Sequence, residues 1–280
     1  MNPYQNNIEI LTSQQNPRIK QLVHLRDRQP REKSQRFLIE GYRELLRAID
    51  AKFPVETLYI CPELFLGENE NALIKRIQNT GCRVFQLPDN LFRKISYRDR
   101  PDGLVAVGVQ QHKGLEALDQ LLASKTRPPF LVIAEAIEKP GNLGTILRSS
   151  DAVGIDALIV CDRCTDVYNP NVVRASVGTL FTVPFFEATS VETIAWLKQR
   201  GIAVLAATPS AKKEFTQVDL TQPLAIAVGT EQLGLSEIWM TQADVQVKIP
   251  MNGIADSLNV AMATTLLLYE AHRQRVPHAS

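Results

Sequence analysis

Hydrophobic positions along the chain follow two alternating patterns. Short apolar runs bounded by turn formers, such as Leu131-Val132-Ile133-Ala134 and Leu224-Ala225-Ile226-Ala227-Val228, predict strands buried on both faces. Between such runs lie stretches with apolar residues spaced three or four apart, the mark of amphipathic helices. The first part of the chain reads as strands at 36–40, 56–60, 83–87 and 103–109, with helices at 42–51, 71–79 and 90–95. The second part reads as strands at 130–134, 157–160, 182–186, 203–207, 224–228 and 245–249, with helices at 142–153, 171–180, 191–200, 236–241 and 257–273. An α/β fold with a mostly parallel sheet in its C-terminal part is expected. The polar stretch Gln110-Gln111-His112-Lys113-Gly114 separates two expected domains, 1–114 and 115–280. No internal repeat or low-complexity tract is seen.

Composition narrows the class without naming a function. Of 280 residues, 45% are hydrophobic and 22% charged, and 31 bases against 30 acids leave a formal charge of +1. That balance excludes histone-like and tail-driven nucleic-acid binders while leaving room for a local basic patch. One such patch is the run through Arg36, a helical arm starting near Asn16-Pro17. It carries Arg18, Lys20, Arg26, Arg28, Arg31, Lys33 and Arg36 against Glu9, Asp27 and Glu32. It reads either as a solvated helix face or as a phosphate contact. The loop Ser96-Tyr97-Arg98-Asp99-Arg100-Pro101-Asp102-Gly103 adds two arginines and a tyrosine able to stack on a base. The polar first ten residues suggest no signal peptide, and no window approaches the roughly 20 apolar residues of a membrane span. Four cysteines are too few for a disulfide framework, and Cys161-Asp162-Arg163-Cys164 lacks the second pair that zinc would need. A cytoplasmic protein without membrane or metal is expected.

Three motifs carry candidate chemistry. In Glu138-Lys139-Pro140-Gly141-Asn142-Leu143-Gly144-Thr145-Ile146-Leu147-Arg148, Asn142 stands where a helix N-cap belongs, and Gly154 is a plausible stop. Leu143, Ile146, Leu147 and Val153 form the buried stripe, leaving Thr145, Arg148 and Ser149 on the opposite side. In Val228-Gly229-Thr230-Glu231-Gln232-Leu233-Gly234, a strand-to-helix turn keeps two glycines. Glu231 replaces the middle glycine of a dinucleotide fingerprint, and its carboxylate would repel a pyrophosphate. The turn suits a cofactor without phosphate, although a plain turn with a surface Glu231 fits this motif as well. In Lys248-Ile249-Pro250-Met251-Asn252-Gly253-Ile254-Ala255-Asp256-Ser257-Leu258-Asn259-Val260-Ala261-Met262-Ala263, Asp256 or Ser257 is expected to cap a deeply buried helix. Asn259 in its first turn would then need a specific partner. No H-E-x-x-H, G-x-S-x-G or P-loop is present, and the four histidines lie near termini or linkers.

These three motifs, in this order, resemble the SpoU (TrmH-type) RNA 2'-O-ribose methyltransferases of the SPOUT superfamily. The N-terminal part resembles the small L30/L7Ae-like α/β domain that binds substrate in ribosomal members. The resemblance implies a C-terminal trefoil-knotted SPOUT domain, S-adenosyl-L-methionine as cofactor, an RNA substrate and a homodimer that completes each site. It implies that Asn142, Arg148, Glu231, Ser257 and Asn259 are the catalytic and substrate-positioning group. Gly229, Ile249 and Leu258, with Ala207, Thr208 and Met251 nearby, would line the cofactor site. Every catalytic position of the family pattern is filled.

The implied reaction is in-line methyl transfer to a ribose 2'-oxygen, a target that DNA lacks. Orientation of the reactants can supply roughly 7–11 kcal/mol of barrier lowering. Arg148 could act as the base. Alternatively, since a guanidinium keeps its proton to above about pH 12, it could bind phosphate bidentately and stabilise the developing alkoxide. The separate N-terminal domain and the arm favour 23S-type ribosomal RNA over transfer RNA. A transfer-RNA 2'-O-methyltransferase and a non-catalytic RNA-binding ribosome assembly factor are the alternatives.

Overall fold

A computed structural model of the chain describes residues 8–230 and 232–276. The chain divides into two compact units. The first runs to Gln111 and takes in Tyr168–Thr182, and the second comprises His112–Val167 and the chain from Val183 on. The expected boundary therefore moves three residues toward the N-terminus, and the segment Tyr168–Thr182, expected in the C-terminal domain, folds with the first unit.

The first unit contains β1 (Glu9–Ile10), α1 (Pro17–His24), α2 (Arg28–Ser34), β2 (Arg36–Glu40), α3 (Tyr42–Asp50), β3 (Val55–Ile60), α4 (Glu70–Gln78), β4 (Arg83–Gln86), α5 (Asp89–Ile95) and β5 (Leu104–Val109). Its five strands are ordered β1-β4-β3-β5-β2, with β5 antiparallel to both β3 and β2. Asn16 starts α1 as the residue pattern predicts. Its side chain accepts from Arg18 N at 2.9 Å, and Pro17, with no N–H to satisfy, opens the helix. The Tyr168–Thr182 segment belongs here because its aromatic side chains join this unit's core. Phe37 lies 4.4 Å from the Tyr168 ring and 6.3 Å from Phe181, which in turn lies 4.9 Å from Phe53. The Tyr168 hydroxyl donates to Gln111 O at 2.8 Å and accepts from Gln111 N at 2.7 Å.

The basic run is folded structure for most of its length. Arg31 is only 1% exposed and donates to Leu25 O and Arg26 O at 3.0 and 2.6 Å, closing the turn between α1 and α2. Arg26 donates to Lys94 O and Ser96 O, and Arg18 covers the Phe85 ring. Arg28 pairs with Glu32 and Arg36 with Glu56. Lys20 and Lys33 are left exposed. The expected helical arm is therefore packed into the unit rather than a wholly solvated face: Ile19, Leu22 and Leu25 are core residues.

The second unit runs α6 (Leu115–Ala123), β6 (Phe130–Glu135), α7 (Pro140–Val153), β7 (Ala157–Cys161), then α8 (Pro170–Ser176) in the segment returned to the first unit. It continues with β8 (Phe185–Ala188), α9 (Ser190–Gln199), β9 (Ala203–Ala207), β10 (Lys213–Glu214), β11 (Leu224–Val228), α10 (Glu237–Gln242), β12 (Val245–Lys248) and α11 (Val260–Arg275). Seven strands lie in the order β10-β12-β9-β11-β6-β7-β8, every pair parallel. All residues of β6, β7 and β11 are buried, as expected for central strands covered on both faces. The strand expected at 182–186 starts later, since 179–181 forms a 3₁₀ turn and Pro184 has no N–H to give the ladder, offering only its carbonyl to Leu158 N. The helix at 115–123 has no counterpart in the sequence reading, although Leu115, Leu118 and Leu122 have the spacing that would have marked it.

Two of the expected caps are corrected. Helix α7 opens at Pro140 after Lys139, so Asn142 sits in the first turn rather than at the cap, while Gly154 closes the helix at φ +68° as predicted. Helix α11 opens at Val260, and its cap is Asn259, not Asp256 or Ser257. Nor is α11 buried all round: Met262, Leu266 and Tyr269 are 62, 43 and 51% exposed, an apolar stripe on one face. Cys161 points into the core, where burial pushes its thiol up to about 12, whereas Cys164 is exposed. The C-x-x-C pair is thus divided between interior and surface.

Candidate active site

A cavity of about 520 Å³ lies in the second unit at the carboxyl ends of β9, β11 and β12. In open parallel sheets this is where ligands bind, at a point where the strand order reverses. Here the chain moves outward through β6, β7 and β8, then returns to the other side of β6 to lay down β9, β11 and β12. Three separate segments supply most of the walls, within 207–210, 228–235 and 247–263, and Met240 of α10 adds to them.

The turn after β11 is the most constrained of the three. A Cβ on Gly229 would lie 2.2 Å from Gly234 O and 2.6 Å from Leu235 N, so only glycine fits there. Thr230 and Gly234 exchange two backbone hydrogen bonds of 3.0 Å, Thr230 Oγ1 accepts from Leu233 N at 3.0 Å, and Gly234 takes φ +70°. The far end of the turn is anchored from below by Glu135, a buried carboxylate at the end of β6. Glu135 accepts from Ser236 N at 2.8 Å and from the Ser236 hydroxyl, and it also takes the Ser190 hydroxyl at 3.4 Å. Ser190 in turn accepts from Trp239 Nε1 at 2.8 Å. Sequence reasoning missed Glu135; its one mark was an acid closing an otherwise apolar run.

The six residues expected near a cofactor, Ala207, Thr208, Gly229, Ile249, Met251 and Leu258, all line this one cavity. Ser257 lines it as well, exposed to solvent. Among the described residues no lysine, arginine or histidine lines the cavity, and Asp256 is the one charged residue there. Such walls offer a phosphate no cationic side chain and admit an apolar, neutral or cationic ligand.

Beside the cavity, Asn259 follows the lining residue Leu258 and precedes the lining residue Val260. Its Oδ1 accepts from Ala261 N at 3.0 Å and Met262 N at 3.4 Å, capping α11. Its Nδ2 donates to Asn142 Oδ1 at 3.1 Å, which brings together two motif residues 117 positions apart. Farther along the same pair of helices Ser149 and Thr265 share a 2.6 Å hydroxyl contact. Arg148 lies about 9 Å along α7 from Asn142 at 1.5 Å per residue. It is exposed and makes no hydrogen bond or ion pair with the described residues. Glu231 lies outside the described residues. The structure therefore gathers Asn142, Asn259 and Ser257 with the six lining positions, and leaves Arg148 uncommitted on the helix that carries Asn142. Among the described residues there is no cluster of three or more metal-ligating side chains, and no helix is long and apolar enough to cross a membrane.

Comparison with known proteins matches two separate stretches of the chain. Residues 129–269 match the family described as SpoU rRNA Methylase, and residues 16–106 match the MRM3-like substrate binding domain. A 23S rRNA (uridine(2479)-2'-O)-methyltransferase of Streptomyces viridochromogenes is 34% identical over 259 residues, covering 90% of this chain and 88% of that protein. Among solved structures, the AdoMet-bound rRNA methyltransferase from Sinorhizobium meliloti superposes with a TM-score of 0.86 at 27% identity, over 96% of this chain and 99% of that one. The SpoU methyltransferase AviRb from Streptomyces viridochromogenes, solved in complex with the cofactor AdoMet, gives 0.81 at 32% identity, over 94% of this chain and 99% of that one.

Proposed function

The chain belongs to the SpoU rRNA Methylase family, and we propose that it transfers a methyl group from S-adenosylmethionine to a ribose 2'-oxygen of 23S-type ribosomal RNA. The observation that carries this reading is the cavity at the ends of β9, β11 and β12. It is closed by a glycine turn that tolerates no side chain, and it has no cationic residue on its described walls. These walls fit the donor. The backbone of 229–235 and the apolar side chains of Ile249, Met251 and Leu258 would hold its adenosine and amino-acid parts, and nothing cationic opposes its sulfonium. When bound, S-adenosylmethionine supplies an electrophilic methyl group.

The chain's own residues do the rest. Arg148, exposed and unpaired among the described residues, binds the phosphate next to the target ribose and stabilises negative charge developing on the 2'-oxygen, whose proton passes to solvent water as the methyl group is accepted. The Asn142–Asn259 amide pair offers fixed donors and acceptors to the ribose hydroxyls, its geometry set by the α11 cap. Ser257 and Glu231 complete the substrate-positioning group. The residues matching a substrate binding domain select the RNA, and relatives that are bacterial rRNA methyltransferases support a cytoplasmic protein.

The apolar stripe Met262, Leu266 and Tyr269 supports a homodimer, since exposed apolar faces of this kind favour burial against a second copy. The SpoU family match over residues 129–269 supports the trefoil knot. The test is incubation of the purified chain with ribosomal RNA and methyl-labelled S-adenosylmethionine, followed by mass-spectrometric mapping. One 2'-O-methyl nucleotide in 23S RNA is expected. Label on a base, or in transfer RNA alone, would refute the assignment.

A further inference from the structure

A second and larger concavity, about 850 Å³, lies wholly within the first unit. Its walls come from the start of α3, the loop before α4, the 96–103 loop and α8. Four arginines and four acids line it, so by formal charge it is neutral. Several of those charges are already committed to partners. Arg98 donates to Glu44 Oε1 at 2.6 Å and to Glu40 O at 2.8 Å, so one arginine and one acid are consumed together. Burial raises the Glu44 carboxyl above the usual carboxylate range, against the pull of Arg98. Glu70 accepts from Gly67 N and Asp102 from Tyr42 N, at 2.9 and 2.8 Å. Asp99 is the one lining acid without a partner among the described residues, against three exposed and similarly unpartnered arginines: Arg43, Arg100 and Arg174.

The rest of the lining has a complementary character. Tyr42 presents a half-buried ring, and Leu66 is 81% exposed, an apolar side chain held out over a polar concavity. The loop carrying Arg100 is fixed in place by Glu40. Its buried carboxylate accepts the Ser96 hydroxyl, Tyr97 N at 2.7 Å and Arg98 N at 3.3 Å. Beside Arg174, Val177 holds φ +51°, unusual for a β-branched residue, and its carbonyl is bonded by Arg47. The three arginines thus converge from three separately anchored elements. Guanidinium groups that share one concavity with an aromatic ring and an exposed aliphatic side chain match an unstacked nucleotide, with phosphates on the arginines and a base against the apolar wall. A duplex, whose bases are already stacked, cannot use such a wall.

We propose that this concavity holds an unpaired nucleotide of the RNA substrate, with Arg43, Arg100 and Arg174 on its flanking phosphates and Tyr42 and Leu66 against its base. The assignment rests on the RNA-methylating reading above and names where in the first unit the RNA is read.

The test uses the full chain and a fluorescent single-stranded RNA 12-mer of mixed sequence, followed by anisotropy across a salt series. Combining Arg43→Ala, Arg100→Ala and Arg174→Ala should weaken binding by about tenfold or more and flatten the log–log salt slope by about two, at about 0.7 for each phosphate left unneutralised. Tyr42→Ala should weaken it at least about fivefold. A Lys52→Ala, Lys75→Ala control on the same unit should leave the slope unchanged. The three arginines are exposed and unbonded among the described residues, and unchanged melting and S-adenosylmethionine titration would exclude misfolding. A triple variant that binds as tightly and as salt-dependently as a wild-type chain active on ribosomal RNA overturns the cleft and leaves the function standing. Equal competition by a duplex of the same sequence also overturns it. A wild-type chain that binds and methylates no RNA overturns both.

Discussion

The cavity of the second unit and the cleft of the first are walled by different kinds of atom. Around the cavity the walls come from a glycine turn, backbone groups and aliphatic side chains, with no described base. Around the cleft they come largely from charged side chains, four of the eight bonded to each other or to backbone groups. The difference follows from what each would hold. A small donor is recognised by shape, and one misplaced carbon excludes it. A polyanion is recognised by charges spread over several phosphates, so single losses are graded.

Four variants probe that contrast. The largest effect is expected at Arg148, where Arg148→Ala should lower methyl transfer by about 10²–10³-fold, the range for losing one preorganised charge donor, while calorimetry shows donor affinity within a few-fold. If affinity fell in parallel, Arg148 would belong to the cavity instead. Next comes Gly229→Val, whose added carbons collide with Gly234 O and Leu235 N. Donor affinity should fall by about 100-fold, equivalent to about 2.7 kcal/mol, with RNA binding retained. Near-normal donor binding would mean the cavity is not held by shape. Asn259→Ala removes a cap worth about 1 kcal/mol and should lower the melting temperature by about 2–4 °C, read by calorimetry. Smallest is the pair Lys20→Ala and Lys33→Ala, expected to leave the salt slope of RNA binding almost unchanged. A flattening of about one would restore the N-terminal bases as phosphate ligands and blur the line drawn around the cleft.

Much of the α/β alternation was legible because the central strands are continuous apolar runs. The strands at 203–207 and 224–228 were read to the residue. The start of α11 was not. Asp256, Ser257 and Asn259 can all cap a helix, and a hydrogen bond from Asn259 to Asn142, far away in sequence, accompanies the structure's choice. The basic run misled for a related reason. Whether Arg31 faces water or closes a turn depends on carbonyls that only the reversal between α1 and α2 presents to it. At the site, the motifs supplied the lining positions, but Glu135 went unseen because a buried acid at a strand end leaves no periodic trace. The cleft was half visible. The loop at 96–103 stood out for its arginines and tyrosine, while Arg174 lies more than seventy residues away in sequence.

The interruption of the second unit by Tyr168–Thr182 constrains how such a protein can be taken apart or recombined. A gene cut at the polar stretch near residue 112 would strip Tyr168 and Phe181 from the aromatic cluster around Phe37 and Phe53. Domain-swap chimeras between relatives should therefore carry 168–182 along with the N-terminal piece. The first unit is encoded by a discontinuous stretch of the gene, and exchange by a single crossover would divide it.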